Sequence, residues 1–405
     1  MKSIVAFALT CAVLSTGAAE CSVSNICVRQ NWPWNGRVSI DFTLISDVNQ
    51  DLEISATCAA GDLGVLDKGL SQLPLSVRPG DYHIEWDAVA AGHPETLENF
   101  QVSVKKSAVD HTYVVFDLLT GERTYLAAPP EGGWTDEYKT TKMAFRRVPA
   151  GTFTMGITAE QKAFIDPENK EDDRQKAHTI QLTSDYYLAI FPLTASQYKT
   201  VVSKTASTSS TAIHAIKYND LRGTVADGIN WPISGYAVTK TSFIGQLRAV
   251  LGSAVLVDLP TEAQWERAAR AESDGFYYAI EGYPGGGTIA ELGTWGSQAC
   301  LDIIHAIASK GTPVGTKLPN KWGIYDTFGL AKNGESCLDL GSYLTDDAVD
   351  PVGGSSTSAT SRMRRGYYSC SDTLSIDTIL LRRLNWDVAG GTNARMCIHL
   401  NSLVK

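Results

Sequence analysis

Apolar and polar residues alternate with a period of two in the first part of the chain, from about residue 27 to residue 125. The alternation is clearest at 38–44, 52–56, 82–86 and 100–104, and Gly- and Pro-containing turn sequences separate these segments. Short strands at this spacing are typical of a small β-sandwich. We therefore predict an all-β, immunoglobulin-like domain over residues 20–125.

The pattern changes after residue 143, where strand and helix periods are mixed. Residues 145–156 read as strand, turn and strand, and 178–182 alternate as a further strand. Two capping boxes, at 194–197 and 261–264, each place a threonine three residues before a glutamine and so predict helix starts. We predict a second domain over residues 143–405 that contains both strands and helices.

The helix after the second capping box has an apolar face formed by Trp265, Ala268 and Ala269. Glu266 and Arg270 lie four residues apart, a spacing that predicts an ion pair on one helix face. Between the two domains, residues 126–142 are rich in Gly, Pro and charge, so we predict a linker there.

Composition sets broad limits on function. A chain of 405 residues suits two domains, and 43% hydrophobic with 20% charged residues is typical of globular proteins. The formal net charge of −9 argues against nucleic acid and against anionic membrane surfaces as partners.

The first residues resemble an export signal, with Lys2, an apolar run and the small residues Gly17-Ala18-Ala19. We predict a signal peptide over 1–19 and a periplasmic, cell-surface or extracellular location. No later apolar run is long enough for a membrane span, so we predict that the protein is not an integral membrane protein. Because exported cysteines tend to oxidise, we expect disulfides, with pairing inside each half of the chain. Cys27 and Cys58 are candidates to join two strands of the first domain, but the sequence does not fix the connectivity, and the odd count of cysteines after the signal leaves at least one unpaired.

Two tryptophans flank a proline at Trp32-Pro33-Trp34. Such a pair either packs a strand entry against a neighbouring domain or offers a surface on which sugar rings stack. The sequence favours packing and leaves the second interpretation open.

The stretch 318–339 alternates oxygen-bearing side chains with glycines, a pattern that suits either a packed irregular loop or an ion site. Pro319-Asn320, the run 323–326, Gly329, Glu335 and the run 337–339 resemble the signature of the formylglycine-generating enzyme family, or sulfatase-modifying factor domain. Further family landmarks follow the same order over about 143–400. The resemblance implies an α+β fold whose core is shared with C-type lectins.

The resemblance also implies an activity. Family enzymes oxidise a sulfatase cysteine to formylglycine with dioxygen and a copper ion held by two thiolates, and copper(I) prefers such sulfur ligands. In the corresponding run, 364–376, only Cys370 is present. The turn register places the expected pair at Ser371 and Ile376, and a register that uses Cys370 places Ser375 at the partner position. The copper pair is therefore incomplete.

The family holds calcium with an asparagine and a glutamate of the signature loop. Glu335 keeps the glutamate, and Asn333 is the candidate for the asparagine, although this loop is two residues longer here and lacks both family tryptophans. Calcium is thus the expected cofactor, and copper applies only to an active enzyme.

We predict an exported, catalytically degenerate family member that binds a carbohydrate or protein ligand. The alternative is a copper-dependent oxidase that acts on a sulfatase polypeptide, with Cys370 as its catalytic residue. Aromatic, Asn and Asp side chains suit such ligands. The predicted ligand-binding residues are Tyr367, Tyr368, Asp372, Asn385, Trp386, Asp387 and Asn393.

Overall fold

The computed structural model describes residues 21–160, 176–213, 216–224, 237–274, 313–327, 334–340, 345–352, 361–366, 384–387 and 392–400. The chain forms two compact units. The first comprises Met1–Val109, Leu251–Leu256 and His399–Lys405, and the second comprises Asp110–Val250 and Val257–Ile398. The predicted signal peptide lies outside the described residues. Within them, no helix has the length and apolar character needed to cross a bilayer.

The N-terminal unit is built from two three-stranded antiparallel sheets, ordered β1-β2-β5 and β4-β3-β6. Its strands are β1 (Cys21–Gln30), β2 (Arg37–Ser46), β3 (Leu52–Cys58), β4 (Gly61–Val65), β5 (Gly80–Asp87) and β6 (Gln101–Lys106). The four predicted strands are thus confirmed as β2, β3, β5 and β6. The immunoglobulin-like topology stays a prediction.

Strand alternation explains how this unit closes. Val38, Ile40, Phe42 and Leu44 of β2 are buried in one cluster with residues of β3 and β6. Successive strand residues point to opposite faces, so the intervening residues of β2 face away from that core. One face of each sheet therefore contributes to a shared apolar core.

The same alternation explains why the expected Cys27–Cys58 disulfide is absent. Cys27 pairs in register with Asp41, on the face of β2 that points away from the core, whereas Cys58 packs against the core. Neither Cys27 nor Cys58 forms a disulfide, and no bridge joins two cysteines of the described residues. The Cys27 side chain therefore faces away from the core, whereas the Cys58 side chain faces it.

The C-terminal unit is rich in sheet and contains few helices. Its sheets are ordered β13-β19-β12-β9-β7-β8, β10-β11-β15 and β17-β16-β14-β18. The strands are β7 (Tyr113–Asp117), β8 (Arg123–Leu126), β9 (Lys142–Val148), β10 (Gly151–Met155), β11 (His178–Leu182), β12 (Tyr186–Ala189), β13 (Val257–Asp258), β14 (Glu335–Leu340), β15 (Ala348–Val349), β16 (Ser361–Arg365), β17 (Leu384–Asp387), β18 (Asn393–Ala394) and β19 (Cys397–His399).

The unit boundary lies earlier than the sequence suggests. The sequence places residues up to 125 in the first domain, but β7 pairs along its length with β9, from Tyr113↔Arg146 to Asp117↔Lys142. The expected linker, 126–142, contains a 3-10 helix (Asp136–Lys139) and buries Trp134 against Tyr113, with ring centroids 5.3 Å apart. Gly- and Pro-rich composition here marks a folded connection inside the second unit.

Four α-helices fall among the described residues: α1 (Ala195–Ser203), α2 (Tyr218–Arg222), α3 (Phe243–Leu251) and α4 (Glu262–Arg270). Both predicted capping boxes are confirmed. The hydroxyls of Thr194 and Thr261 accept from the backbone N–H of Gln197 and Gln264, and each glutamine side chain bonds back to its threonine N–H. These reciprocal bonds satisfy two of the free donors at a helix start.

Candidate functional site

Helix α4 is buried although four of its nine residues are charged. Trp265, Ala268 and Ala269 form the apolar face that the sequence predicts, yet Glu262 and Glu266 are also almost completely buried. Burying a charge is costly unless it is paired and hydrogen-bonded. The surroundings of α4 must therefore supply partners of opposite charge and hydrogen-bond donors.

The signature stretch bonds to α4 at its start, middle and end. Asp339 accepts from the backbone N–H of Glu262 at 2.6 Å, and Glu335 accepts from the indole N–H of Trp265 at 2.6 Å. At the other end, the Asn320 amide donates to the carbonyl of Ala268 at 2.7 Å. Helix ends leave free N–H and C=O groups, so Asp339 and Asn320 act as caps, while Glu335 fixes the Trp265 side chain.

Asn320 also shapes its own loop. Its side-chain oxygen accepts from the backbone N–H groups of Trp322 and Ile324, each at 3.1 Å. Gly323, between them, has a φ of 75° and packs against Tyr113, whose hydroxyl would lie 2.9 Å from an added Cβ. Position 323 therefore requires glycine, both for its backbone conformation and for space.

Glu335 is paired on both carboxylate oxygens. The Arg395 guanidinium donates through Nε to Oε2 at 3.0 Å and through Nη2 to Oε1 at 2.9 Å. Arg395 also donates to the backbone carbonyls of Ala189, Ile190 and Tyr325 at 2.8–3.1 Å. This two-point pairing is the strongest geometry for arginine and carboxylate, and it is completely buried.

Asp326 is the least satisfied carboxyl near this pair. Its Oδ2 accepts from the backbone N–H of Gly315 at 2.6 Å, while Oδ1 has no hydrogen-bond partner among the described residues. Burial raises the pKa of Asp326 to about 6, although Arg395 acts in the opposite direction. Glu335 adds a smaller upward contribution to the same pKa.

A second buried ionic network includes two glutamates of α4. Arg365, at the end of β16, forms ion pairs with Glu262 and Glu266, and Glu266 Oε1 also pairs with Arg270 at 2.8 Å. The Glu266–Arg270 pair was predicted from its spacing and is confirmed. Burial lowers the pKa of Arg270 to about 10. The next residue, Gly366, approaches closely enough that an added Cβ would lie 2.8 Å from the Thr327 carbonyl.

Sequence reasoning missed a third ionic cluster. Asp258 of β13 receives Nε and Nη2 of Arg222 at 2.8 and 3.0 Å and Nη2 of Arg248 at 3.1 Å. The fully buried Asp258 holds the pKa of Arg222 above its ordinary value, although burial opposes this. The three residues come from β13, α2 and α3, and no sequence spacing links them.

The described residues of the signature loop do not fit calcium. Calcium requires several free oxygen ligands, whereas both Glu335 oxygens are occupied by Arg395 and Trp265. A guanidinium this close would also repel a cation. Asn333, the other predicted ligand, lies outside the described residues. Across the described ranges, no cluster of three or more His, Cys, Asp or Glu is arranged to hold a metal ion.

The described thiols of the second unit do not fit a copper site either. Cys337 and Cys397 are completely buried, and burial raises the pKa of Cys397 well above its ordinary value. A metal ligand must be a thiolate, which this environment disfavours. Cys370, the predicted catalytic residue, lies outside the described residues, as do Ser371, Ser375 and Ile376.

The predicted ligand-binding residues are only partly described. Tyr367, Tyr368 and Asp372 lie outside the described residues. Asn385, Trp386 and Asp387 belong to β17, an edge strand that pairs with β16, and Trp386 stands opposite Arg362 in register. Asn393 belongs to β18 at the other edge of that sheet and is only 1% exposed. The structure therefore does not bring Asn393 to a surface shared with β17.

Taken together, these elements define a sheet-rich domain with few helices, organised around one buried helix and three buried arginine–carboxylate clusters. The family model of the sulfatase-modifying factor enzyme 1-like domain matches residues 135–365, more than half of the chain. The chain therefore belongs to this family. No curated protein and no solved structure matches it.

Proposed function

We propose that this protein is an exported member of the family whose sulfatase-modifying factor domain binds a ligand and does not oxidise a sulfatase. One observation carries the proposal: the run 364–376, where family enzymes place two copper-binding cysteines, contains only Cys370. A single thiolate cannot give copper(I) the paired sulfur coordination that this chemistry needs.

Neither described cysteine of this unit is suited to replace the missing partner. Cys397 donates to Gln264 with a sulfur-to-oxygen distance of 3.8 Å inside the core, and Cys337 packs with Trp265, Ala269 and Met363. Reactive thiols need partial exposure and an environment that lowers their pKa. The burial of these two residues, with the raised pKa of Cys397, supports the degenerate interpretation.

The core of the domain supports a scaffold role. Asn320, Glu335 and Asp339 hold α4 through direct hydrogen bonds, so the described part of the signature stretch has a structural purpose without a metal or substrate. A core fixed in this way tolerates different surface residues on its loops and edges. We infer a C-type-lectin-like arrangement in which β17 and residues 367–372 contact a carbohydrate or protein ligand.

Oxidation of a peptide tests the absence of catalysis. The purified chain is incubated with copper(I), dioxygen, a reductant and a cysteine peptide of the sulfatase type, and the peptide mass is followed. We expect no conversion to the aldehyde. Conversion that is lost in Cys370→Ser and kept in the control Cys27→Ser would overturn the proposal, because Cys27 belongs to the other unit.

Ligand binding is tested on β17. A panel of glycans and exported proteins is screened with and without calcium, and any ligand found is titrated against Trp386→Ala. We expect about tenfold weaker binding, because one aromatic contact is lost. The control Leu318→Ala removes an apolar side chain that is 52% exposed and should leave the affinity unchanged. Equal affinities of Trp386→Ala and the parent chain would contradict the placement of the site.

A further inference from the structure

The turn between β1 and β2 exposes two large aromatic side chains. Trp32 is 52% exposed. Trp34 is 85% exposed, which is more than any other large hydrophobic residue described. Packing, the interpretation that the sequence favours, would bury at least one of these rings. Two neighbouring indoles that stay exposed do not contribute to a core, and they indicate a binding surface.

The turn itself is well ordered by hydrogen bonds. The Asn31 carbonyl accepts from the N–H of Trp34 at 2.9 Å, and the N–H of Asn31 donates to the Arg37 carbonyl at 2.8 Å. Asn35 accepts from the N–H of Arg37 at 2.9 Å through its side chain. An ordered turn holds the indoles in place before a ligand arrives, which lowers the entropy cost of binding.

A row of polar side chains continues from this turn along the outer face of the β1-β2-β5 sheet. Arg37 pairs with Glu85 at 3.0 Å, and Asp41 pairs with Arg29 at 3.3 Å and with His83 at 2.7 Å. Arg37 and Asp41 alternate with the buried core residues of β2, so they face away from the core. Arg29 and Glu85 stand opposite Ser39 in register, and His83 stands opposite Asp41, so these side chains share that face.

The row ends in a shallow groove of about 360 Å³. Its lining consists of five polar residues and two aromatic ones: Asn25, Asp41, Thr43, Asp81, His83, Phe42 and Tyr82. The Asn25 amide donates to the Thr43 hydroxyl at 3.2 Å, and that hydroxyl donates to Asp81 at 2.7 Å. From Arg37 to Thr43 the strand advances by roughly 20 Å, which gives a polar strip several sugar rings long.

This combination fits a carbohydrate better than a membrane or a protein. Indole rings stack on the C–H faces of sugar rings, and amide, carboxylate and guanidinium groups bond hydroxyls in pairs. A membrane-binding face would need an excess of Lys and Arg, whereas Asp41, Asp81 and Glu85 balance the basic groups here. A stable protein interface would need a buried apolar centre, whereas five of the seven residues that line this groove are polar.

We propose that the N-terminal unit binds a linear oligosaccharide, with Trp32 and Trp34 stacking on sugar rings and the polar strip from Arg37 to the Asn25–Thr43–Asp81 groove bonding its hydroxyls. This site belongs to the N-terminal unit, and the proposal does not depend on whether the family domain binds a ligand.

The test is a calorimetric titration of the full chain with three neutral hexasaccharides: cellohexaose, chitohexaose and mannohexaose. We expect at least one to bind at micromolar to millimolar concentration. Trp34→Ala should weaken that binding about tenfold or more, Trp34→Phe should restore part of it, and Asp81→Ala should weaken it separately. Val48→Ala removes an apolar side chain of the same unit that is 53% exposed, and should change nothing.

The melting temperature of each variant is measured first. We expect Trp34→Ala to melt at the same temperature as the parent chain, because Trp34 contributes little to the core. Absence of binding by all three probes at millimolar concentration would overturn the proposal, and so would binding that Trp34→Ala leaves unchanged. The same chain is mixed with phosphatidylserine vesicles. Vesicle binding that Trp34→Ala abolishes, without oligosaccharide binding, would overturn it in favour of a membrane surface.

Discussion

Asp326 shows how one residue can carry a measurable cost inside a well-paired core. Its backbone φ is 56°, a left-handed conformation that Asp and Asn tolerate better than most residues. One carboxyl oxygen accepts a backbone hydrogen bond, and the other has no partner among the residues described. Desolvation outweighs the attraction of Arg395, and the pKa of Asp326 is raised to about 6.

The raised pKa predicts that stability falls as pH rises. Between an unfolded pKa of 3.8 and a folded pKa of about 6, the folded state binds more protons than the unfolded state. The contribution of this group to the free energy of unfolding is therefore greatest below pH 4 and is lost as pH rises through 6. Across this window the loss amounts to about 2–3 kcal/mol.

Asp326→Asn tests this directly, because asparagine resembles the protonated carboxyl and also tolerates positive φ. The variant should be more stable than the parent by about 2 kcal/mol at pH 7 and equal to it near pH 4. Urea denaturation at both pH values measures the difference. A stability difference that does not change with pH would show that Asp326 titrates normally.

At the scale of elements, the signature stretch acts as a clamp on α4. Asn320 binds the carbonyls at the helix end, Asp339 binds the N–H at its start, and Glu335 fixes Trp265 between them. The sequence left a packed loop and an ion site open for this stretch. In the described residues the polar side chains bond to protein groups, so packing accounts for their presence.

Removal of the helix-end cap should therefore be costly. Asn320→Ala leaves the Ala268 carbonyl and the N–H groups of Trp322 and Ile324 without their buried partner, and we expect a loss of about 2–4 kcal/mol. Asn320→Asp should fail to rescue, because a carboxylate faces helix-end carbonyls. Chemical denaturation measures both, with the exposed neighbour Lys321→Ala expected to lie within about 0.5 kcal/mol of the parent. A loss for Asn320→Ala as small as that control would contradict the clamp.

Local signals in the sequence were sufficient to predict individual helices and strands. They did not predict pairings between residues far apart in the chain. Thr261 and Gln264 form a capping box within four residues, and the alternation of β2 is visible in ten. Strand β1 went unpredicted because a bulge between Ser24 and Cys27 interrupts its alternation, so that the core-facing residues Val23 and Ile26 are three positions apart. The Glu335–Arg395 and Asp258–Arg222 pairs join residues 60 and 36 positions apart, and nothing local marks either as buried.

At the scale of the whole molecule, the main revision concerns the division of the chain. Composition at 126–142 indicates a linker, but β7 and β8 before it pair into the same sheet as β9. Trp134 and Tyr138 pack in that segment with ring centroids 5.0 Å apart, and Tyr138 also packs against the Tyr113 cluster. The Gly and Pro residues here belong to tight turns of a folded segment, and they do not indicate a flexible linker.

Limited digestion of the full chain with trypsin checks this division. Cleavage after Lys139 or Lys142 should be slow, because both residues belong to hydrogen-bonded structure and Lys139 is largely buried. Proteolysis needs a locally open backbone. Early fragments that begin at Thr140 or Met143 would instead support a flexible linker at 126–142.

We propose that this domain lacks a copper site, and a copper(I) titration against a competing chelator tests this most directly. We expect no stoichiometric copper and identical curves for the parent chain and Cys370→Ser. One tightly bound copper(I) per chain, lost in Cys370→Ser and retained in Cys27→Ser, would contradict the proposal and restore the oxidase interpretation.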